Sequence, residues 1–298
     1  MRFFRVAEHI FSVEAPESVY ALMTNYAPFA IEQPTDSQLL FALTIHEPVA
    51  ELPALSSDLQ AVYTDTSEDD MPRLDIYREN SHWLLREAIN KTAQTSLHLT
   101  MSEDFSEAHL FLLENSNLRF AVDNATMLLF AFASAKYATL EMHASVTVRG
   151  DYGYLFLGKS GTGKSTHSRQ WLETFPDAWL LNDDNPVVRL KEDGVYVYGS
   201  PWSGKTPCYK NEVRRVGAFV KLLQAPYNKM HTLRLPEAYA YILSSSSGLK
   251  IIPEVMDTLF DTISRLIQTV QVYGMECLPD HDAAKLCAET VLQPRTNA

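Results

Sequence analysis

The sequence predicts a mixed α/β protein in two parts, a β-rich segment over residues 1–120 and an α/β core over 121–298. Two observations carry this expectation. Before residue 117 apolar and polar residues alternate in short runs separated by polar turns, the pattern of half-buried strands, and from 117 to about 137 the period lengthens to a helical one. Further on, the apolar run Tyr154-Leu155-Phe156-Leu157 leads into Gly158-Lys159-Ser160-Gly161-Thr162-Gly163-Lys164-Ser165-Thr166, and a helical pattern follows to about Phe175. Strand, glycine loop and helix in that order, with Gly158, Gly163, Lys164 and Ser165 at this spacing, form a phosphate-binding loop.

Taken in order, residues 3–13 alternate as one strand and 39–45 as a second, and further strands cover 73–78, 96–101 and 108–113 in a small antiparallel sheet. The acidic stretch 64–70 reads as a solvated turn in preference to a metal site. Leu118, Val122, Met127, Leu128, Phe130, Ala131 and Ala138 give the helix at 117–137 a broad apolar face, the connection into the core. The core opens with a strand over 140–148, and a turn at Arg149-Gly150-Asp151-Tyr152-Gly153 returns the chain antiparallel into the strand before the glycine loop. Then come an apolar strand ending in Asp183-Asp184, strands at 195–198 and 219–223, helices at 236–244 and 254–271, a short edge strand at 275–278 and a closing helix at 282–292.

A formal net charge of −12 and a pI near 5.2 argue against nucleic acid as a partner. No run of about 18 apolar residues occurs; the nearest, 125–138, is short and rich in small residues, and the N-terminus has no apolar signal core. Neither a membrane nor secretion is expected. Cys208, Cys277 and Cys287 form no CxxC pair and read as reduced thiols of a cytoplasmic protein.

The chemistry gathers around the loop. Its glycines let backbone amides approach an anion without a Cβ in the way, and the free N–H groups at the start of the following helix face the same anion. Gly158, Ser160, Gly161, Thr162, Gly163, Lys164, Ser165 and Thr166 are therefore the candidate nucleotide contacts, with Lys164 on the β/γ oxygens and the Ser165 hydroxyl on Mg²⁺. An apolar strand closing in two acids suits a Mg-nucleotide, one carboxylate near the metal and one taking the acceptor proton. Adjacent side chains on a strand point opposite ways, so both reach the site only if the strand ends in a turn, which Asn185-Pro186 supplies. His143 reads either as a satisfied core histidine or as a site residue, on the strand beside the one that delivers the loop. The segment 199–207, with glycine, prolines and an exposed-type Trp202, reads as substrate-facing, and Lys205, Lys210, Arg214 and Arg215 are candidate contacts to phosphate or to an acidic acceptor, with surface solvation the alternative for each.

From about residue 140 onward the chain resembles the HPr kinase/phosphorylase family, whose loop sits in a fold similar to that of phosphoenolpyruvate carboxykinase. The resemblance rests on His143 fifteen residues before Gly158, on Tyr152-Gly153, on the loop from Gly158 to Ser165, and on Asp183-Asp184 closing an apolar strand. It implies an ATP- and Mg²⁺-dependent serine kinase. Asp183 would be the catalytic carboxylate, Asp184 and Ser165 would lie near the metal, and His143 beside the transferred phosphate; the two acids can exchange roles. The family's glycine-rich signature after the double acid has only a weak echo in Arg214-Arg215-Val216-Gly217. Phosphorylase activity thus stays open, as does the serine-bearing acceptor, whether protein, peptide or small molecule. Members often form hexamers, so a homo-oligomer is among the states allowed. A nucleotide-binding regulatory or scaffold module without transfer is the alternative, and a carboxykinase-type enzyme a weaker one.

Overall fold

In the computed structural model, residues 1–35, 38–64, 72–90, 92–204, 206–248 and 250–292 are described. The expected acidic turn beyond Thr64 and the candidate Lys205 lie outside them. The chain is strand-rich, with two large sheets and few helices. It divides into two compact units, Met1–Ser134 with Leu249–Pro253, and Ala135–Gly248 with Glu254–Ala298. The boundary read at residue 120 thus falls inside a helix that the first unit keeps.

The first unit is one nine-stranded sheet of β1 (Arg2–Val6), β2 (His9–Glu14), β3 (Ala30–Ile31), β4 (Ala42–Ile45), β5 (Ala61–Thr64), β6 (Arg73–Glu79), β7 (His82–Ala88), β8 (Thr95–Ser102) and β9 (Glu107–Leu112), in the order β3-β1-β2-β4-β9-β8-β7-β6-β5. It is mixed where an antiparallel sheet was expected, because β2, β4 and β9 run parallel. The expected single strand at 3–13 is a hairpin. Ala7 and Glu8 turn the chain with φ of 48° and 65°, a left-handed pair that non-glycine residues seldom adopt and that no Gly or Asn announces. A short α1 (Glu17–Tyr20) follows, and the expected helix is α2 (Leu118–Ser134), packed on β8 and β9. Phe11 stacks on Phe41 at 4.7 Å and meets Phe130 of α2 edge-on at 6.3 Å, so the helix closes an aromatic core. Among the described residues one helical stretch, Leu118–Tyr137, is long and apolar enough to cross a membrane, and 61 % of its apolar window is buried within the protein.

Glu87 of β7 is an exception in that core. It is 4 % exposed and accepts from Asn124 Nδ2 on α2 at 3.0 Å, and burial pushes its carboxyl up to about 7. A carboxyl raised in the folded state favours folding below its ordinary value of 4.5, and that advantage is lost as pH rises from 4.5 through 7. Glu87→Gln keeps an oxygen for Asn124 and carries no charge. It is expected to gain on the order of 2 kcal/mol over the native chain at pH 8 and little at pH 4.5, read from urea unfolding at both values.

The second unit is a sheet of β10 (Thr139–Glu141), β11 (Ala144–Arg149), β12 (Tyr152–Leu157), β13 (Ala178–Asp184), β14 (Val187–Lys191), β15 (Gly194–Tyr198), β16 (Val213–Gln224), β17 (Lys229–Thr232) and β18 (Val272–Cys277). The path is β10-β14-β15-β16-β12-β11-β13, with β18 on β16 and β17 on β18. Helices cover both faces. Trp171 of α3 (Lys164–Thr174) and Ala284 of α6 (His281–Val291) pack with Phe156 and Val220 on one; Ile242 of α4 (Leu235–Ser245) and Ile263 of α5 (Pro253–Thr269) pack with Leu155 and Phe219 on the other.

Three expectations change here. The strand read at 140–148 is two, β10 on β14 and β11 between β12 and β13, interrupted at Met142 and His143. The run at 275–278 belongs to β18, which is no edge, because it pairs with both β16 and β17. Trp202 is 2 % exposed, so the 199–204 segment is packed inward.

Candidate functional site

The site sits where three strands end together. Ala144 at the start of β11 faces Leu157 at the end of β12 on one side and Asp184 at the end of β13 on the other. The expected antiparallel return from β11 to β12 is thus what sets the glycine loop one strand away from the two acids. Gly158 follows Leu157, and a Cβ there would lie 2.3 Å from the Thr162 hydroxyl oxygen, so only glycine lets Thr162 fold back to donate to the Lys159 carbonyl at 2.8 Å. Gly163, with φ of 100°, opens α3 without a side-chain cap, so the first-turn amides stay free for an outside acceptor. Ser160, Gly161, Ser165 and Thr166 are exposed along this loop and helix start.

Lys164 is turned inward and only 8 % exposed. Its ammonium donates to the Gly158 carbonyl at 2.9 Å and to Nε2 of His143 at 2.7 Å. An ammonium has only hydrogens to give, so Nε2 accepts, the ring proton rests on Nδ1, and Nδ1 donates to Asp184 Oδ1 at 3.1 Å. His143 can do this because it lies in the break between β10 and β11. Its backbone N–H donates to the Ser245 carbonyl at the end of α4. Burial pulls the Lys164 ammonium below the ordinary lysine value, against the opposing pull of Asp184 and Asp183.

Both acids lie close enough to act on Lys164 electrostatically, and β13 does not end in regular alternation. Asp184 has φ of 134°, a conformation rare for any side chain but glycine. The segment after β15 holds that turn. The Asp183 carbonyl accepts from Gly204 N at 2.6 Å and from Ser203 Oγ at 3.0 Å, while Asn182 Nδ2 donates to Ser200 Oγ and to the Trp202 carbonyl. The inward packing of Trp202 therefore supports the acids from behind. Asp183 itself is 3 % exposed.

Of the candidate residues, the loop, Lys164, His143, Asp183 and Asp184 come together, with Ser165 one residue along α3. Of the expected cations, the three among the described residues do not join them. Lys210 and Arg214 lie over the Trp179 ring, and Arg215 lies over Tyr196 with Asp193 at 3.9 Å; Trp179 pairs with Val148, towards the opposite end of β13. A cation that does stand beside the loop is Lys221, on β16 level with Leu157. A single lysine inside the apolar run Phe219-Val220-Lys221-Leu222-Leu223 was the available signal.

A cavity of about 310 Å³ opens beside the loop, lined by Thr162, Thr166, His167, Leu222, Gln224 and Cys277 among others. His167 is pushed down to about 4 by burial and accepts from Trp171 Nε1 at 3.2 Å, so it is a neutral structural group. Among the described residues no three His, Cys, Asp or Glu side chains converge as a ready-made metal cage. The oxygen donors near the loop are the two carboxylates and the hydroxyls of Ser160, Thr162, Ser165 and Thr166. Neither a family model nor a curated protein matches this chain.

Proposed function

We propose that this chain is an ATP- and Mg²⁺-dependent kinase of the HPr kinase-like type that phosphorylates a serine-type hydroxyl. The observation that carries the reading is the Lys164–His143–Asp184 relay at the mouth of a glycine loop, with Asp183 beside it. A loop of amides and a buried ammonium suit a polyphosphate, and the cavity next to Thr162 and Thr166 has room for the nucleoside. Carboxylate and hydroxyl oxygens suit Mg²⁺, which keeps waters and uses one or two carboxylates with phosphate oxygens. Asp184 and Ser165 would hold that ion, which when bound neutralises the charge of the β and γ oxygens. Lys164 leaves the Gly158 carbonyl to pair with phosphate, Asp183 takes the acceptor's hydroxyl proton, and His143 keeps Asp184 oriented.

The test is transfer of label from ATP to a panel of serine-bearing acceptors, free serine included. No transfer to any acceptor, with ATP still bound, would leave a nucleotide-binding module. A sharper check uses Gly204, where a Cβ would meet Cγ and Oδ2 of Asp184 at 3.1 Å, so the carboxylate must give by a few tenths of an ångström. Gly204→Ala is expected to raise the Mg²⁺ concentration for half-maximal turnover about tenfold, as disturbing a ligand's support does. An unchanged Mg²⁺ requirement would remove Asp184 from the metal.

A further inference from the structure

Lys221 is a half-buried cation without an anionic partner among the described residues. Its ammonium lies 5.0 Å from the centre of the Tyr241 ring on α4, and no described carboxylate stands within ion-pair distance. The parallel pairing of β12 with β16 sets it level with Leu157, immediately before the loop begins. Burial lowers its hold on a proton and repulsion from Lys159 lowers it further; Lys221 in turn does the same to Lys164. Lys221 on β16 thus stands within repelling distance both of Lys159 in the loop and of Lys164 at the helix start, while the two acids act on Lys164. Such a cluster is costly while empty and is relieved by a polyanion.

We propose that Lys221, with Lys159, is a second phosphate contact of this site, gripping the polyphosphate from the β16 flank of the loop while Lys164 and the α3 amides hold it at the helix start. This rests on the nucleotide reading above and adds a cation to it. A contact from a charged donor to phosphate is worth about ten- to a hundredfold in affinity.

The experiment measures binding of inorganic triphosphate and of Mg-ATP to the full chain by calorimetry. Lys221→Met keeps the stem that packs on Tyr241 and is expected to weaken both about tenfold or more, and Lys221→Arg to recover most of the loss. Lys159→Ala, at an exposed loop position, is expected to weaken both several-fold and keeps the test readable should Lys221→Met not fold. If Lys221→Met and Lys159→Ala bind triphosphate like the native chain while Lys164→Met does not, the proposal is overturned and the nucleotide reading stands. A rise only in the acceptor's KM would equally overturn it, moving Lys221 to an acidic group of the acceptor. A native chain that binds neither probe would remove the nucleotide reading itself.

Discussion

Lys164→Met is expected to cut phosphoryl transfer at least a thousandfold and Mg-ATP affinity about a hundredfold. The ammonium is the one buried cation between the loop and the acids among the described residues, held by the Gly158 carbonyl and the His143 ring, and both acids act on it. Transition-state charge on the γ-phosphoryl oxygens would then lose its nearest fixed countercharge, an electrostatic contribution of several kcal/mol in a partly dry site. Lys164→Arg is expected to restore little. A planar guanidinium cannot occupy a position shaped for a compact ammonium with acceptors at 2.7 Å and 2.9 Å. Because burial lowers the Lys164 pKa, native affinity for ATP should fall on the alkaline side at a lower pH than an ordinary lysine would allow. Calorimetry across pH and a labelled transfer assay check both statements, and transfer by Lys164→Met within tenfold of native would end the assignment.

Asp183→Asn should separate chemistry from binding. The replacement is nearly isosteric, and the hydrogen bonds from this residue to the 199–204 segment run, among the described residues, through its carbonyl, to Gly204 N and Ser203 Oγ, which the substitution leaves in place. Nucleotide affinity is expected to stay within a few-fold, while turnover drops by about 10² to 10⁴, the usual worth of a positioned general base. Asp184→Asn should behave differently. It weakens the acceptor of the His143 Nδ1 proton and, on the proposed roles, raises the Mg²⁺ requirement. If Asp183→Asn turns over at the native rate, Asp183 is not the base; if the two variants exchange phenotypes, the acids exchange roles.

Local features were the legible ones. Strand, glycine loop and helix are consecutive in sequence, and β12, Gly163 and α3 stand where the pattern puts them. The two acids could be read because an apolar run ending in acid is itself a local signal. The turn after them was legible in Asn185-Pro186, but what holds it was not, since that depends on the unusual φ of Asp184 and on Ser203 and Gly204 arriving from elsewhere. His143 was legible in position but not in setting: the break between β10 and β11 exists because those strands pair with different neighbours. Trp202 misled because a loop tryptophan can pack inward, and Lys221 was passed over because a lysine in a strand ordinarily points to water.

The long strand β16 has a kinetic consequence. β11 and β12 meet through a short turn and can pair as soon as both exist, but β12 waits for its second neighbour until β13, β14 and β15 have been laid down. Non-local parallel pairing of this kind carries a high loop-closure cost and forms slowly. During synthesis the glycine turn therefore hangs from a one-sided hairpin, and its second flanking strand arrives only with the crossover that completes the sheet. Pulse-labelled amide exchange during refolding should find the amides of β12 that face β16 protected later than those that face β11.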